Sequence, residues 1–533
     1  MFMDIYDFSR KLPIGIQSFE KLRDEHCLYV DKTRYLYNLV HTSSQVFLSR
    51  PRRFGKSLFL STLKAYWEGR KDLFEGLWIF EQEEKNGYDW KKYPVFYFDF
   101  NKKNFHKSSA LEEVLDEHLR DWEDIYGKER QKESLEERFR FLLEKSHEQT
   151  GLRCVVLVDE YDKSLLETLT EDEIQKHNKA VFKGFFSTLK SYDEHLQFVF
   201  ITGVTKFTKI SIFSDLNQLT DISVTPNYSE ICGITQDEIH RVFDPEVKAL
   251  AKENNLTFEQ CLLKLKQMYD GYHFCDNSEG VYNPFSLLNA FSMKKFRSFW
   301  FETGTPTFLI EKLEQDNFDA KQFTAQTIYK NERELLDYRA ENTDPVPLFY
   351  QSGYLTIKDY DERRGRYTLG YPNEEVKYAF IESLAPSYLH DKNGNGIDIF
   401  TFDDYIEEGR LDEVMDIFIS IFARIPYVSV SDNAEKIMER DFQNVIYIVF
   451  MLLGKYVHVE MHTALGRADC VVETEKYIYI FEFKRDGSVS EALSQIEEKG
   501  YAKPYTADKR KIFKIGVNFS TKNRNVLEWK VGE

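Results

Sequence analysis

Cysteine is scarce. The 533 residues hold six, Cys27, Cys154, Cys232, Cys261, Cys275 and Cys470. No two stand in C-x-x-C spacing, which argues against a zinc knuckle or a dithiol redox motif. Cys154 and Cys470 lie inside apolar runs and read as small core residues, and the usage as a whole predicts a reducing compartment, the cytoplasm. Long apolar runs are lacking too. The longest, residues 445–453, falls short of the ~20 residues that a bilayer span needs. The opening Met1-Phe-Met-Asp-Ile-Tyr-Asp7 carries acids where a secretory leader carries cations, so no leader and no membrane partner are expected. Positive charge is also in deficit, with 71 Lys and Arg against 89 Asp and Glu and a net charge of −18. That excludes a polycation that coats nucleic acid wholesale, while leaving room for a local basic groove. Internal repeats and low-complexity tracts are absent.

What remains is a folded-protein composition, 42% hydrophobic and 30% charged, on a chain too long for one core. At ~100–200 residues per domain, two to four domains are expected. Residues 45–49, 94–99, 154–158 and 197–202 are short continuous apolar runs, the pattern of strands buried on both faces of a parallel sheet. Charged helical stretches, 109–148 and 171–190 among them, lie between these runs. The alternation predicts an α/β, doubly wound domain over 1–235. From 236 to 385 the pattern turns helical (236–251 and 257–269). A polar turn at 359–366 between two short apolar runs then predicts a hairpin like the wing of a winged-helix unit. Residues 386–397, with Asp391-Lys-Asn-Gly-Asn-Gly396, read as a linker. This stretch mimics the start of a calcium loop, but Phe402 stands where the loop needs its twelfth-position carboxylate. The segment 398–533 has its own order: a helix at 434–455, three β-like runs at 457–461, 468–472 and 477–483, a helix at 489–501 and a strand at 511–519.

Two constellations carry chemistry. In the first, the 45–49 strand runs into Arg50-Pro-Arg-Arg-Phe-Gly-Lys-Ser57 and an amphipathic helix. Strand, loop, Gly-Lys-Ser and helix form the context of a phosphate-binding P-loop. Loop amides and the helix N-terminus converge on an anion, Gly55 admits the backbone, Lys56 reaches the terminal phosphates and Ser57 ligates Mg²⁺. Arg52, Arg53 and Phe54 complete the loop. The generic first glycine is replaced by Arg50. Downstream, Cys154-Val-Val-Leu-Val-Asp-Glu160 ends a buried strand in two carboxylates. In P-loop enzymes such an Asp159 orders the Mg²⁺ shell and Glu160 polarises the attacking water; alternatively the pair merely ends a strand. Thr202, at the end of the next strand, is either a γ-phosphate sensor or an ordinary strand end. Arg52, Arg53, Lys206 and Lys209 are candidate charge stabilisers, and the sequence does not choose among them.

In the second constellation, Gly466-Arg-Ala-Asp469 precedes Tyr477-Ile-Tyr-Ile-Phe-Glu-Phe-Lys484. Glu482 and Lys484 share one strand face, and a turn at 474–476 lets the Asp469 strand pair with theirs. Two carboxylates hold Mg²⁺ or Mn²⁺, and a lysine steadies phosphate charge. A charge at Glu482, amid apolar neighbours, demands a partner. Glu439 is a candidate third ligand or a solvated helix charge, and Gln495 a candidate contact to metal water or phosphate. His458 and His462 read as ordinary residues. From Lys484 to Glu533 there are eleven basic and seven acidic residues, an excess suited to a phosphate backbone or to a solvated helix end.

At these motifs the chain resembles bacterial proteins with an N-terminal AAA-ATPase-like domain and a C-terminal PD-(D/E)XK nuclease-like domain. The resemblance runs through Leu12-Pro-Ile-Gly-Ile16, Tyr29-Val-Asp-Lys-Thr33, the Arg50–Ser57 loop, Asp159-Glu-Tyr-Asp-Lys163, Phe213-Ser-Asp-Leu-Asn217, Leu219-Thr-Asp-Ile222, Phe301-Glu-Thr-Gly-Thr-Pro306, Gly353-Tyr-Leu-Thr-Ile357 and Glu482-Phe-Lys484. The family's loop lacks the first glycine, as here. Ser164 replaces a usual proline, and Ala468 stands where the nuclease motif names proline. The resemblance implies a P-loop NTPase domain, a helical and winged-helix-like middle, and a restriction-endonuclease-like α/β domain. It implies ATP and Mg²⁺ at the first site, Mg²⁺ or Mn²⁺ at the second, nucleic acid (DNA before RNA) as partner, and homo-oligomers. Three functions stay open: an ATP-dependent nuclease in DNA processing, mobile-element biology or defence; an ATP switch whose C-terminal domain binds DNA or protein without cutting; and a scaffold with a vestigial loop.

Overall fold

The computed structural model describes residues 10–129, 133–169, 171–207, 219–300, 328–336, 344–388, 399–423, 449, 456–463, 466–474, 476–520, 522–523 and 525–532. They fall into two compact units, one of the described residues up to Trp300 with Tyr329–Glu375, the other of Ile328 and the described residues from Val376 on. Among the described residues no helix is long and apolar enough to cross a membrane.

The first unit is built on a parallel sheet of β1 (Gln45–Ser49), β2 (Val95–Asp99), β3 (Cys154–Asp159), β4 (Leu196–Gly203) and β5 (Thr220–Asp221), in the order β2-β3-β4-β1-β5. Every residue of β1 and β3 is buried. Layers on both faces of the sheet leave no polar side, which is why these strands read as unbroken apolar runs. The register sets Leu48 beside Thr202 and Val158 beside Ile201. The P-loop strand, Thr202 and the Asp159 strand therefore end at one level.

The helix expected over 109–148 is two helices, Ala110–Tyr126 and Leu135–Thr150. Gly127, at φ 99°, closes the first, and the Ser134 hydroxyl accepts the Glu137 amide to open the second. Arg138 then ties the pair together through Glu123 and Asp116, each at 2.6 Å. The stretch expected as a helix over 236–251 likewise splits at Phe243 into Gln236–Val242 and Asp244–Glu253, because Pro245 cannot donate the amide that continuity needs. Thr235 and Thr257 each cap a helix with a reciprocal side-chain bond. The expected hairpin is present as β7 (Thr356–Asp361) and β8 (Arg366–Gly370), with β6 (Ile328–Lys330) on the far side of β8.

The second unit carries β9 (Tyr456–Thr463), β10 (Gly466–Glu473), β11 (Tyr477–Arg485), β12 (Lys511–Ser520) and β13 (Asn525–Val531), in the order β13-β12-β11-β10-β9. Only β11 and β12 are parallel, joined through helix Val489–Lys499; the other pairs are antiparallel. Period-two alternation sorts the sheet's faces. Cys470, Val472, Tyr479 and Phe481 pack on helices Ile399–Glu408 and Leu411–Ala423. Val471, Ile478 and Ile480 pack against Ile496 and Tyr501. The face that bears Ile480 continues along β11 to Glu482 and Lys484. The expected helix at 434–455 and the Asp391–Gly396 turn lie outside the described residues, apart from Val449.

Candidate active sites

Chain geometry at the end of β1 builds the first site. Arg53 takes φ 69° and Gly55 φ 95°, wrapping the loop so that helix Lys56–Trp67 begins beneath it. Glycine makes that turn without a Cβ penalty; Arg53 adopts it with strain, a sign of a functional constraint. Arg50 is almost wholly buried. Its guanidinium donates to the carbonyls of Ser49, Ser223 (2.6 Å) and Tyr228 (2.9 Å) and lies 4.0 Å from the Phe274 ring. The residue that replaces the generic glycine is thus a brace that anchors the loop to the strand-and-turn segment behind it.

The Lys56 amine donates to the carbonyls of Arg50 (2.9 Å) and Pro51 (3.1 Å) and stands 3.4 Å from Glu160. Glu160 holds φ 52°, a left-handed backbone that turns the chain sharply at the strand end, beside this lysine. Asp159 is 2% exposed, accepts from the Tyr97 hydroxyl at 3.4 Å and lies near the Ser57 hydroxyl. Burial first, then the neighbouring Glu160 charge, pushes its carboxyl up to about 7. Its Oδ1 is buried with no hydrogen-bond partner. An orphaned carboxylate oxygen next to a serine hydroxyl fits a hard divalent cation.

Arg52, Arg53, Gly55, Lys56, Ser57 and Glu160 line one cleft of about 370 Å³. Pro13, Leu58, Pro284 and Leu288 are shared between it and an apolar slot of about 100 Å³. A cleft with cations on its wall and an adjoining apolar slot suit a nucleotide. Phe54 lines the apolar slot and makes T-shaped contacts with the Tyr272 and Phe274 rings. Thr202 is fully buried and donates to the Leu48 carbonyl at 2.9 Å, closing the β1–β4 seam and standing apart from the cleft lining. Lys206 is paired with Asp221 at 2.6 Å; Lys209 lies outside the described residues.

Sequence reasoning passed over Asp162. It is fully buried, and its carboxylate accepts the amides of Val204 and Thr205, the turn that follows β4. Tyr161 accepts from the Phe207 amide and donates to the Thr205 carbonyl. The Asp-Glu-Tyr-Asp run therefore puts Glu160 in the cleft lining, keeps Asp159 buried behind it, and steadies the neighbouring strand's exit with its last two residues. The only available signal was the three-residue spacing of the acids.

The second site forms on β10 and β11. Cys470 faces Phe481 across the pair, so Asp469 and Glu482 stand opposite. Asp469 Oδ2 accepts the Phe483 amide at 2.9 Å. Lys484 donates to Glu482 Oε1 at 3.1 Å and to Gln495 Oε1 at 2.6 Å, and the Gln495 amide donates to the Tyr501 hydroxyl. Glu482 is 1% exposed, and burial together with the Asp469 charge pushes its carboxyl up to about 7 against the pull of Lys484. Its Oε2 is buried with no partner, the same fit to a divalent cation as at Asp159. The structure brings Asp469, Glu482, Lys484 and Gln495 together. Glu439 lies outside the described residues, as do the side chains of His458 and His462 on β9. Among the described residues no group of three or more His, Cys, Asp or Glu is gathered as a metal cluster.

Residues 13–213 match the family model described as a predicted AAA-ATPase, and residues 437–529 match that of the PD-(D/E)XK nuclease superfamily. An Azotobacter chroococcum (mcd 1) protein, described as an uncharacterized protein in the vnfD 5′ region, is 35% identical over 536 residues, covering 98% of this chain and 99% of its own length.

Proposed function

The chain belongs to the family that joins a predicted AAA-ATPase domain to a PD-(D/E)XK nuclease superfamily domain, and from that premise we propose an ATP-binding and ATP-hydrolysing protein that governs a metal-dependent nuclease acting on DNA. One observation carries the reading. At each of the two sites a buried strand carboxylate keeps one oxygen without a hydrogen-bond partner, beside a second acid and near a lysine: Asp159 with Glu160 and Lys56, and Glu482 with Asp469 and Lys484.

At the first site, ATP lies in the cleft with its phosphates against the loop amides and Lys56. Ser57 and Asp159 would hold Mg²⁺, which neutralises phosphate charge when bound. Glu160, beside Lys56, takes the proton of the attacking water. At the second site, Asp469 and Glu482 would hold Mg²⁺ or Mn²⁺, which supplies Lewis acidity at the scissile phosphate. Lys484, oriented by Gln495, steadies the charge that gathers on that phosphate. The division we adopt is an ATPase domain over 1–235, a helical and winged-helix-like segment over 236–385, a linker at 386–397 and the nuclease domain over 398–533. Cytoplasmic DNA is the substrate class, and assembly into homo-oligomers follows the habit of AAA-like modules.

The test is cleavage of supercoiled, linear and single-stranded DNA by the full chain with Mn²⁺, with and without ATP, beside Lys484→Ala. Cleavage that ATP modulates and that the alanine variant loses supports the reading. ATP binding by a wild-type chain that cuts no form of DNA or RNA replaces it with a nucleotide switch whose C-terminal domain only binds.

A further inference from the structure

Phosphoryl transfer gathers charge on the transferring oxygens, and P-loop enzymes meet it with a guanidinium supplied either by the same chain or by a neighbour. The cleft cations differ sharply in what already engages them. Lys56 is held by two loop carbonyls and Glu160. Lys163 donates to the Asn101 carbonyl at 2.9 Å and lies 3.8 Å from Glu167. Arg50 is buried and spent on three carbonyls. Arg52 and Arg53 are exposed on the cleft wall and, among the described residues, neither guanidinium is paired with a carboxylate.

Their backbone, by contrast, is fixed. The Trp300 indole donates to the Arg52 carbonyl at 3.0 Å. Arg53 takes its left-handed φ of 69°, and its guanidinium lies 4.8 Å from the Phe285 ring, a second wall of the same cleft. Two adjacent guanidinium groups without a counter-charge repel each other. Held on a rigid loop facing a polar cleft, they are arranged for an anion. They are also part of the loop itself, two and three residues before Gly55, so they reach only the nucleotide bound by their own chain.

We propose that Arg52 and Arg53 together supply, in cis, the charge that stabilises the transferring γ-phosphoryl group, so that hydrolysis needs no arginine from a neighbouring chain. This rests on the ATPase reading above. The bond from the γ-phosphorus to the ADP oxygen breaks as the bond to the water oxygen forms, the water's proton passing to Glu160. Throughout, the two guanidinium groups hold the equatorial oxygens.

The experiment is single-turnover ATP hydrolysis by the full chain across a hundredfold dilution, with binding of Mg·ADP alone and with fluoroaluminate measured in parallel. The variants are R52A/R53A, R52K/R53K, and an equimolar mixture of R52A/R53A with Lys56→Ala. The rate per wild-type chain is expected to stay constant on dilution. R52A/R53A is expected to bind ADP within tenfold of wild type, to lose at least a hundredfold in rate, and to lose the fluoroaluminate complex. R52K/R53K keeps the charge but not the planar fork, and is expected to keep ADP affinity with under a tenth of the rate. Retention of ADP binding keeps a misfolded loop from imitating the result. Undiminished hydrolysis by R52A/R53A, a rate per chain that climbs with concentration, or recovered activity in the mixture overturns the proposal and leaves the ATPase reading standing. A wild-type chain that binds neither ATP nor ADP overturns both.

Discussion

Replacing Glu482 by glutamine should make the metal-free second unit more stable while removing the metal site proposed for it. The carboxyl is 1% exposed and held at about 7, against an ordinary value near 4.5. Below pH 4.5 both the folded and the unfolded chain carry the proton, and no penalty exists. Between 4.5 and 7 the unfolded chain has released it while the folded chain retains it, so wild-type stability falls as pH rises. Above 7 the burial of the ionised group is penalised in full, by about 3 kcal/mol. Glutamine mimics the protonated carboxyl, still accepts from Lys484 and never ionises. Its advantage is therefore nil near pH 4, grows through the window, and reaches about 3 kcal/mol at pH 8, or several degrees in the unit's melting transition. Calorimetry of the full chain in EDTA from pH 4 to 8 measures it. Added Mn²⁺ should reverse the order, raising the wild-type transition and leaving the variant's in place. A glutamine variant no more stable than wild type at pH 8, or one whose advantage persists unchanged at pH 4, would refute the reasoning.

Two further substitutions probe the frame of the proposed nucleotide site. Arg50→Gly restores the generic loop residue but strands the buried carbonyls of Ser223 and Tyr228; a loss of about 3 kcal/mol is expected in the denaturant midpoint of the first unit, and a gain in stability would show the brace to be dispensable. Gly203→Ala sets a Cβ 2.4 Å from Asp162 Oδ1 and 2.8 Å from the Tyr161 ring. The carboxylate must then leave the Val204 and Thr205 amides, at about 1–3 kcal/mol, read by the same denaturation with the ATP dissociation constant measured alongside; unaltered stability and affinity would show that Asp162 does not position this turn.

The elements that read clearly in the sequence are those whose burial is uniform along their length. β1 and β3 are apolar throughout because both faces are covered. β13 escaped notice because Asn525-Val-Leu-Glu-Trp-Lys-Val531 is an edge strand with mixed exposure, and β5 because two residues carry no period. The helix breaks at Gly127 and at Phe243–Pro245 were marked by the residues that cause them, yet the charged periodicity on either side read straight through. The Asp469, Glu482 and Lys484 trio was legible because hairpin register is arithmetic once the turn is placed. Arg50 and Thr202 were not legible. Arg50 is explained by carbonyls more than 170 positions away, and Thr202 by one at Leu48. Carbonyls are the same on every residue, so a side chain that bonds to them leaves no partner type for a sequence pattern to record.

The two sites share one electrostatic device, and it explains why a lysine alone does not account for either. At Asp159 the nearby amine of Lys56 is already engaged by the Arg50 and Pro51 carbonyls. At Glu482 the amine of Lys484 divides itself between the carboxylate and Gln495. In both places the carboxyl still sits near 7, so the lysine offsets only part of the burial and of the second acid beside it, Glu160 in one case and Asp469 in the other. A buried pair kept only for stability would do better as apolar residues of similar size. A divalent ion held as proposed would remove the remaining penalty by meeting the unpartnered oxygen and cancelling the repulsion between the acids. Each site is thus costly to the folded chain as it stands, and the proposed cation would relieve it. The arrangement therefore supports the proposed metal-held phosphate better than it supports a role in reinforcing either sheet.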